Sequence, residues 1–188
     1  MNQDDGMTLN KKAWYRYMAR SIDMLIGALF IGFIVGVFLT ILMIVLSNFM
    51  EVPEDILATI PDFLLGVIIV FFYLIVEATM FSAFKTSLGK KIFGITITDK
   101  HNNSIEFTTA LKRNFLLWFR GMALSIPFLS ILTLINAHGS YTNNGITTWD
   151  EDMEVLVQFK KISTVRVAFG IVLFVLVMAL NFMFIASI

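Results

Sequence analysis

The chain alternates long apolar runs with short polar stretches, and the runs are long enough to cross a bilayer. About 20 predominantly apolar residues make a spanning helix. Residues 22–46, 63–84, 115–137 and 165–188 each supply such a run, and Met24 to Leu46 holds no charge at all. The second run is interrupted by Glu77, and the third by Arg120 and Pro127. The fourth starts beside Arg166 and is broken only by Asn181 and Ser187. The pattern predicts an all-α integral membrane protein of about four transmembrane helices, forming one domain over residues 1–188. No repeat or low-complexity linker divides it.

The polar stretch after the second run has its own texture. Ile95 and Ile97 alternate with Thr96 and Thr98, which predicts a short strand. Lys100 to Asn103 reads as a turn and Ser104 to Phe107 as a return strand, so an amphipathic hairpin is expected between spans two and three. Thr108 or Thr109 would cap a following helix through Leu111 to Trp118.

Composition agrees with a membrane class. The 188 residues are 57% hydrophobic and 15% charged, with mean hydropathy +0.81, whereas soluble domains carry roughly 25% charged residues. The formal net charge is zero, so bulk charge gives no case for nucleic acid. Without Cys there is no disulfide framework or thiol chemistry. The polar first twenty residues show no cleavable signal, and the first apolar run is too long for one.

Basic residues set the expected topology. Lys11, Lys12, Arg16 and Arg20 precede the first span, and seven basic residues lie between Lys85 and Arg120. The first loop, about Ser47 to Asp62, has none but carries Glu51, Glu54, Asp55 and Asp62. The positive-inside rule therefore puts the N-terminus and the middle loop in the cytoplasm and the first loop outside. Four full spans would put His138 to Thr164 outside, yet Lys160, Lys161 and Arg166 precede the last span and pull that flank inwards. One resolution is a third segment that crosses only in part. Arg113 and Arg120, seven positions apart, would then share the polar face of an interfacial helix.

Ionisable groups at membrane depth are expensive and mark functional candidates. Arg20 and Asp23 are three apart, on one helical face at the mouth of the first span. Glu77 lies about seven or eight residues before Lys85, roughly 11 Å of helix into the second span. Antiparallel packing would place all three in one cytoplasmic layer. Arg20 would pair with Glu77 or Asp23, and the spare carboxylate would take a proton or cation; the competing reading is a structural ion pair.

Other patterns add less. Gly27, Gly32 and Gly36 suit close helix packing. Lys90 and Lys91 suit anionic headgroups, and Gly89-Lys90 is not a phosphate-binding loop because the upstream Gly is missing. His101 and His138 are isolated, so no metal is expected. Ser125 and Ser130 lack a base nearby in sequence, so no enzyme is expected. The acidic cluster Asp150, Glu151, Asp152 and Glu154 reads as a solvated loop or, more sharply, a cation-attracting mouth.

Three stretches resemble the RDD family of small membrane proteins. They are Ala19-Arg20-Ser-Ile-Asp23, then Glu77 with Thr86-Ser-Leu-Gly89-Lys90-Lys91-Ile-Phe-Gly94-Ile-Thr-Ile-Thr-Asp99, then Leu111-Lys-Arg113-Asn-Phe with Trp149-Asp150. The middle block is the most specific, and the resemblance covers about Ala13 to Gln158. It marks Arg20, Asp23, Gly89, Lys90, Gly94, Asp99, Arg113 and Asp150 as motif positions. It implies transport, with sodium/proton antiport described for some members, and a setting in the bacterial plasma (inner) membrane.

Two functions follow as expectations. The first is a transporter of monovalent cations, protons or small solutes, working without a cofactor and as a homo-oligomer, since four short helices make a small bundle. The second is a non-transporting membrane scaffold or interaction partner.

Overall fold

The computed structural model describes residues 6–49, 61–123 and 127–186. The chain is mostly helical, and its longest helix, α1 (Leu9–Ser47), runs 39 residues. Thr8 caps it, its Oγ1 accepting from the Lys11 N–H. At about 1.5 Å per residue α1 is far longer than a bilayer core needs. Its first turns instead pack on protein, burying Ala13, Tyr15, Ala19 and Ile22, while Phe30, Phe33 and Phe38 further along are exposed.

Helix α2 (Asp62–Phe84) packs beside α1. Both are long and apolar enough to cross a membrane, as a helix that satisfies its own backbone can. Helix α7 (Thr164–Ala186) adds a shorter apolar stretch, Thr164–Leu180, and rests on α1 through the Tyr17–Phe174 ring contact. Beyond Arg166, the exposed side chains among the described residues of α7, such as Phe169, Val172 and Phe182, are apolar.

Between α2 and α7 the chain builds a small lobe. It holds α3 (Leu88–Ile92), β1 (Ile95–Thr98), α4 (Phe107–Leu116), α5 (Pro127–Asn144), α6 (Thr148–Asp152) and β2 (Leu156–Phe159). Three apolar clusters hold lobe to helices: one around Ile22, Phe93 and Val177, one around Phe81, Ile97 and Val155, and one around Tyr73, Leu74 and Trp118.

Four expectations change. The strand at Ile95–Thr98 forms, but it pairs antiparallel with Leu156–Phe159, Ile97 opposite Val157, not with Ser104–Phe107. Asp99 is the reason: its Oδ1 accepts the N–H groups of His101 and Asn103, and the tight turn uses the backbone a return strand would need. The fold is therefore not purely α. Second, the expected span 115–137 is not one helix. After α4 come a π-helical turn, Leu117–Gly121, and a new helix opening at Pro127 and continuing to Asn144. Pro is at home at a first helical position and cannot donate inside a helix. Third, the extra residue of the π turn breaks the seven-residue register. Arg113 points inwards at 2% exposure, while Arg120 pairs with Asp152 at the surface. Fourth, α4 opens at Glu106, without a Thr cap.

Among the glycines of α1, close approach belongs to Gly27. A Cβ there would lie 2.1 Å from the Tyr73 ring, whereas Gly36 has open space around it. The acidic first loop, Ser125 and Ser187 lie outside the described residues.

Candidate functional site

Arg16, Arg20 and Asp23 fall at i, i+4 and i+7 on α1, one stripe turned towards α2 and the lobe. Arg20 Nη1 donates to Glu77 Oε2 of α2. Asp23 does not pair with Arg20. Its Oδ1 accepts the Gly89 N–H at 2.6 Å, and its Oδ2 accepts the Ser87 hydroxyl at 2.5 Å. Lys90 completes the cluster: its Nζ lies 2.8 Å from Glu77 Oε1 and 3.3 Å from Asp23 Oδ2. Two cations and two carboxylates thus close into a neutral cluster. Glu77 is 0% exposed, and no carboxylate among the described residues of this cluster is spare. The expectation that Lys90 faces lipid headgroups is overturned, because it is 7% exposed and tied to two carboxylates; Lys91 stays exposed.

Gly89 makes this approach possible. A Cβ there would stand 2.3 Å from the Ala19 carbonyl oxygen. Without it α3 can lie on α1 and aim its N–H at Asp23. The chain reaches α3 through Lys85, which ends α2 with φ 60°, and Thr86, whose hydroxyl donates to the Ile95 carbonyl at 2.7 Å. Gly94 turns the chain into β1 at φ 68°, with the Lys160 carbonyl 2.8 Å from where its Cβ would be.

A second cluster lies along the same stripe. Asp150 is 0% exposed and accepts from Arg113 Nε at 2.7 Å and Arg16 Nη2 at 2.5 Å. The Thr147 hydroxyl donates to it at 2.5 Å. Burial alone would raise the Asp150 pKa, but Arg113 and Arg16 more than offset that and hold it down at about 2. Arg113 sits over the Phe81 ring and Arg16 over Tyr141. Two cations share one carboxylate, so the cluster carries a net positive charge.

The structure thus gathers Arg20, Asp23, Glu77, Gly89 and Lys90 at one point, and Arg113 and Asp150 at another. Asp99 joins neither; it caps its own turn. The acidic run divides: Asp150 is a buried partner, Asp152 meets Arg120, and Glu154 meets Lys100 at 2.7 Å. Arg16, Ser87 and Thr147 were missed by the sequence reading. The Arg16–Arg20 spacing of four was the one available signal for Arg16; the two hydroxyls gave none.

No curated protein and no solved structure matches the chain. The RDD family model matches residues 11–187, so the family extends beyond Gln158 to take in the last helix. With that match, the apolar helices and the charged stripe, the chain is a membrane protein belonging to the RDD family.

Proposed function

We propose that the chain is a membrane transporter of monovalent cations or protons in which Lys90 is the resident occupant of a two-carboxylate site. The observation that carries this is the position of Lys90 Nζ between Glu77 and Asp23. While Lys90 is in place the cluster is neutral. If its ammonium swings out, Asp23 and Glu77 face Arg20 alone and one negative charge is left. A sodium ion or a proton restores neutrality, so Lys90 and the transported cation exclude each other. A small solute carrying one positive charge fits the same exchange. The cycle needs no enzyme chemistry and no cofactor.

The topology we favour puts the N-terminus and both clusters on the cytoplasmic side of a bacterial plasma membrane, following the basic residues. Two findings favour a third segment that crosses only in part. The segment is divided between the π turn Leu117–Gly121 and a separate helix, Pro127–Asn144, and β1 pairs with β2, which holds 156–159 beside the middle loop. Membrane crossings would then fall to α1, α2 and α7, and a homo-oligomer would complete a path through so small a bundle.

Sodium- or pH-gradient flux into proteoliposomes tests the proposal. Flux that is lost in Glu77→Gln, in protein that still folds, supports it; absence of flux from the wild-type chain for either cation sinks it. The second reading, a scaffold, is favoured by one observation: each carboxylate oxygen of the cluster has a partner, as a static lock would. It predicts that a folded Glu77→Gln behaves as wild type.

A further inference from the structure

A cavity of about 640 Å³ lies beside both charged clusters, bounded by α1, α3, β1, α4 and its π turn, α5, α6 and β2. That volume falls among those of small-molecule sites, roughly 300–1,000 Å³. Its wall is mostly apolar, with Met24, Ile97, Leu134 and Val157 among the lining side chains. Its charge is one-sided. Arg16, Arg20, Lys90 and Arg113 all line it, and no carboxylate does among the described residues. Their partners Asp23, Glu77 and Asp150 bring three negative charges against four positive, which leaves one positive charge over.

Residues of the same wall also carry unused donors, set back from its surface. Arg20 Nε and Nη2 and Trp149 Nε1 are buried without a hydrogen-bond partner. Trp149 is only 7% exposed, and both residues line the cavity. Unpartnered buried N–H groups cost free energy, which a bound acceptor would recover once a small side-chain rotation brings it within reach of them.

We propose that this cavity binds an amphipathic anion, a carboxylate or phosphate-monoester head on an apolar body. The head answers the surplus positive charge and the free N–H donors. The body fills the apolar remainder. A bare inorganic anion would leave that remainder empty, and a neutral lipid would leave the charge and donors unmet. The inference does not depend on cation exchange, because it is read by binding alone.

The test uses the full chain in a neutral maltoside detergent, with 9,10-dibromostearate as probe and quenching of tryptophan fluorescence as readout. Trp14 and Trp149 both line the cavity and report on it. Saturable quenching by dibromostearate, far weaker quenching by the brominated stearyl alcohol, and no displacement by equimolar inorganic phosphate support the proposal. Trp149→Phe removes the indole N–H and keeps an aromatic ring, so it should bind roughly tenfold more weakly while still melting cooperatively as a folded protein, Trp14 still reporting. Ala137→Phe, which fills the cavity, should abolish saturable quenching. Equal quenching by acid and alcohol, displacement by phosphate, or binding that survives both substitutions would overturn it.

Discussion

The Lys90 cluster and the Asp150 cluster lie along one stripe of α1, yet they balance their charges differently. Around Lys90 two carboxylates face two cations, and Asp23 also has the Ser87 hydroxyl and the Gly89 N–H to lean on. Around Asp150 one carboxylate holds apart two guanidinium groups, of which Arg113 is 2% exposed. A balanced cluster can lose one member and still redistribute its contacts. An unbalanced one depends on its single acid. Buried ion pairs add little net stability, but breaking one strands a charge. On the proposed reading the Lys90 cluster is the one that changes state, while the Asp150 cluster ties α1 to α4 and α6 of the lobe.

The largest effect expected is from Asp150→Asn, which leaves Arg113 and Arg16 buried side by side with no countercharge. It should destabilise the fold by about 3–5 kcal/mol, read as melting temperature in detergent. Glu77→Gln should cost less, because Lys90 keeps Asp23. The reverse order would break the comparison. Next, Gly89→Ala puts a methyl against the Ala19 carbonyl and should cost about 1–3 kcal/mol, as overpacking does. Flux should fall with it, because Asp23 loses the Gly89 N–H.

A pH titration sharpens the contrast. Asp150 has its folded pKa depressed from 3.8 to about 2. Its contribution is therefore complete above pH 3.8 and is lost as pH falls towards about 2. Wild-type stability should drop across that window, and Asp150→Asn should lack that part of the drop. The smallest effect belongs to Asp99→Ala, which removes only the acceptor of the His101 and Asn103 N–H groups. About 1 kcal/mol of stability should be lost, with flux unchanged.

Much of this arrangement was legible in the sequence, for physical reasons that differ by residue. An uncharged run after Arg20 and Asp23 marks a span, and an acid inside the next run has to find a cation; hence Arg20 with Glu77. Alternation at Ile95 and Ile97 gave the strand. Its partner was hidden because strand pairing is non-local, and because Ser104–Phe107 resembles a return until the Asp99 turn consumes its hydrogen bonds. Lys90 was misplaced at the headgroups because a Lys beside a Gly at a span's end ordinarily faces water. Only the three-dimensional approach of α3 to α1 turns it inwards. Asp150 sat in an acidic run that reads as solvated, and nothing local separates it from Asp152. The break in the third segment was half visible, in Pro127; the π turn that buries Arg113 was not.

The most direct measurement compares Lys90→Met, Glu77→Gln and the double variant carrying both, each followed for melting temperature and for sodium- or pH-driven flux in proteoliposomes. The double variant removes one positive and one negative charge and leaves Arg20 with Asp23. If Lys90 exchanges with the transported cation, the double variant should regain most of the melting temperature lost by the singles while its flux stays absent. Recovery of flux together with stability would contradict the account and make the cluster a lock.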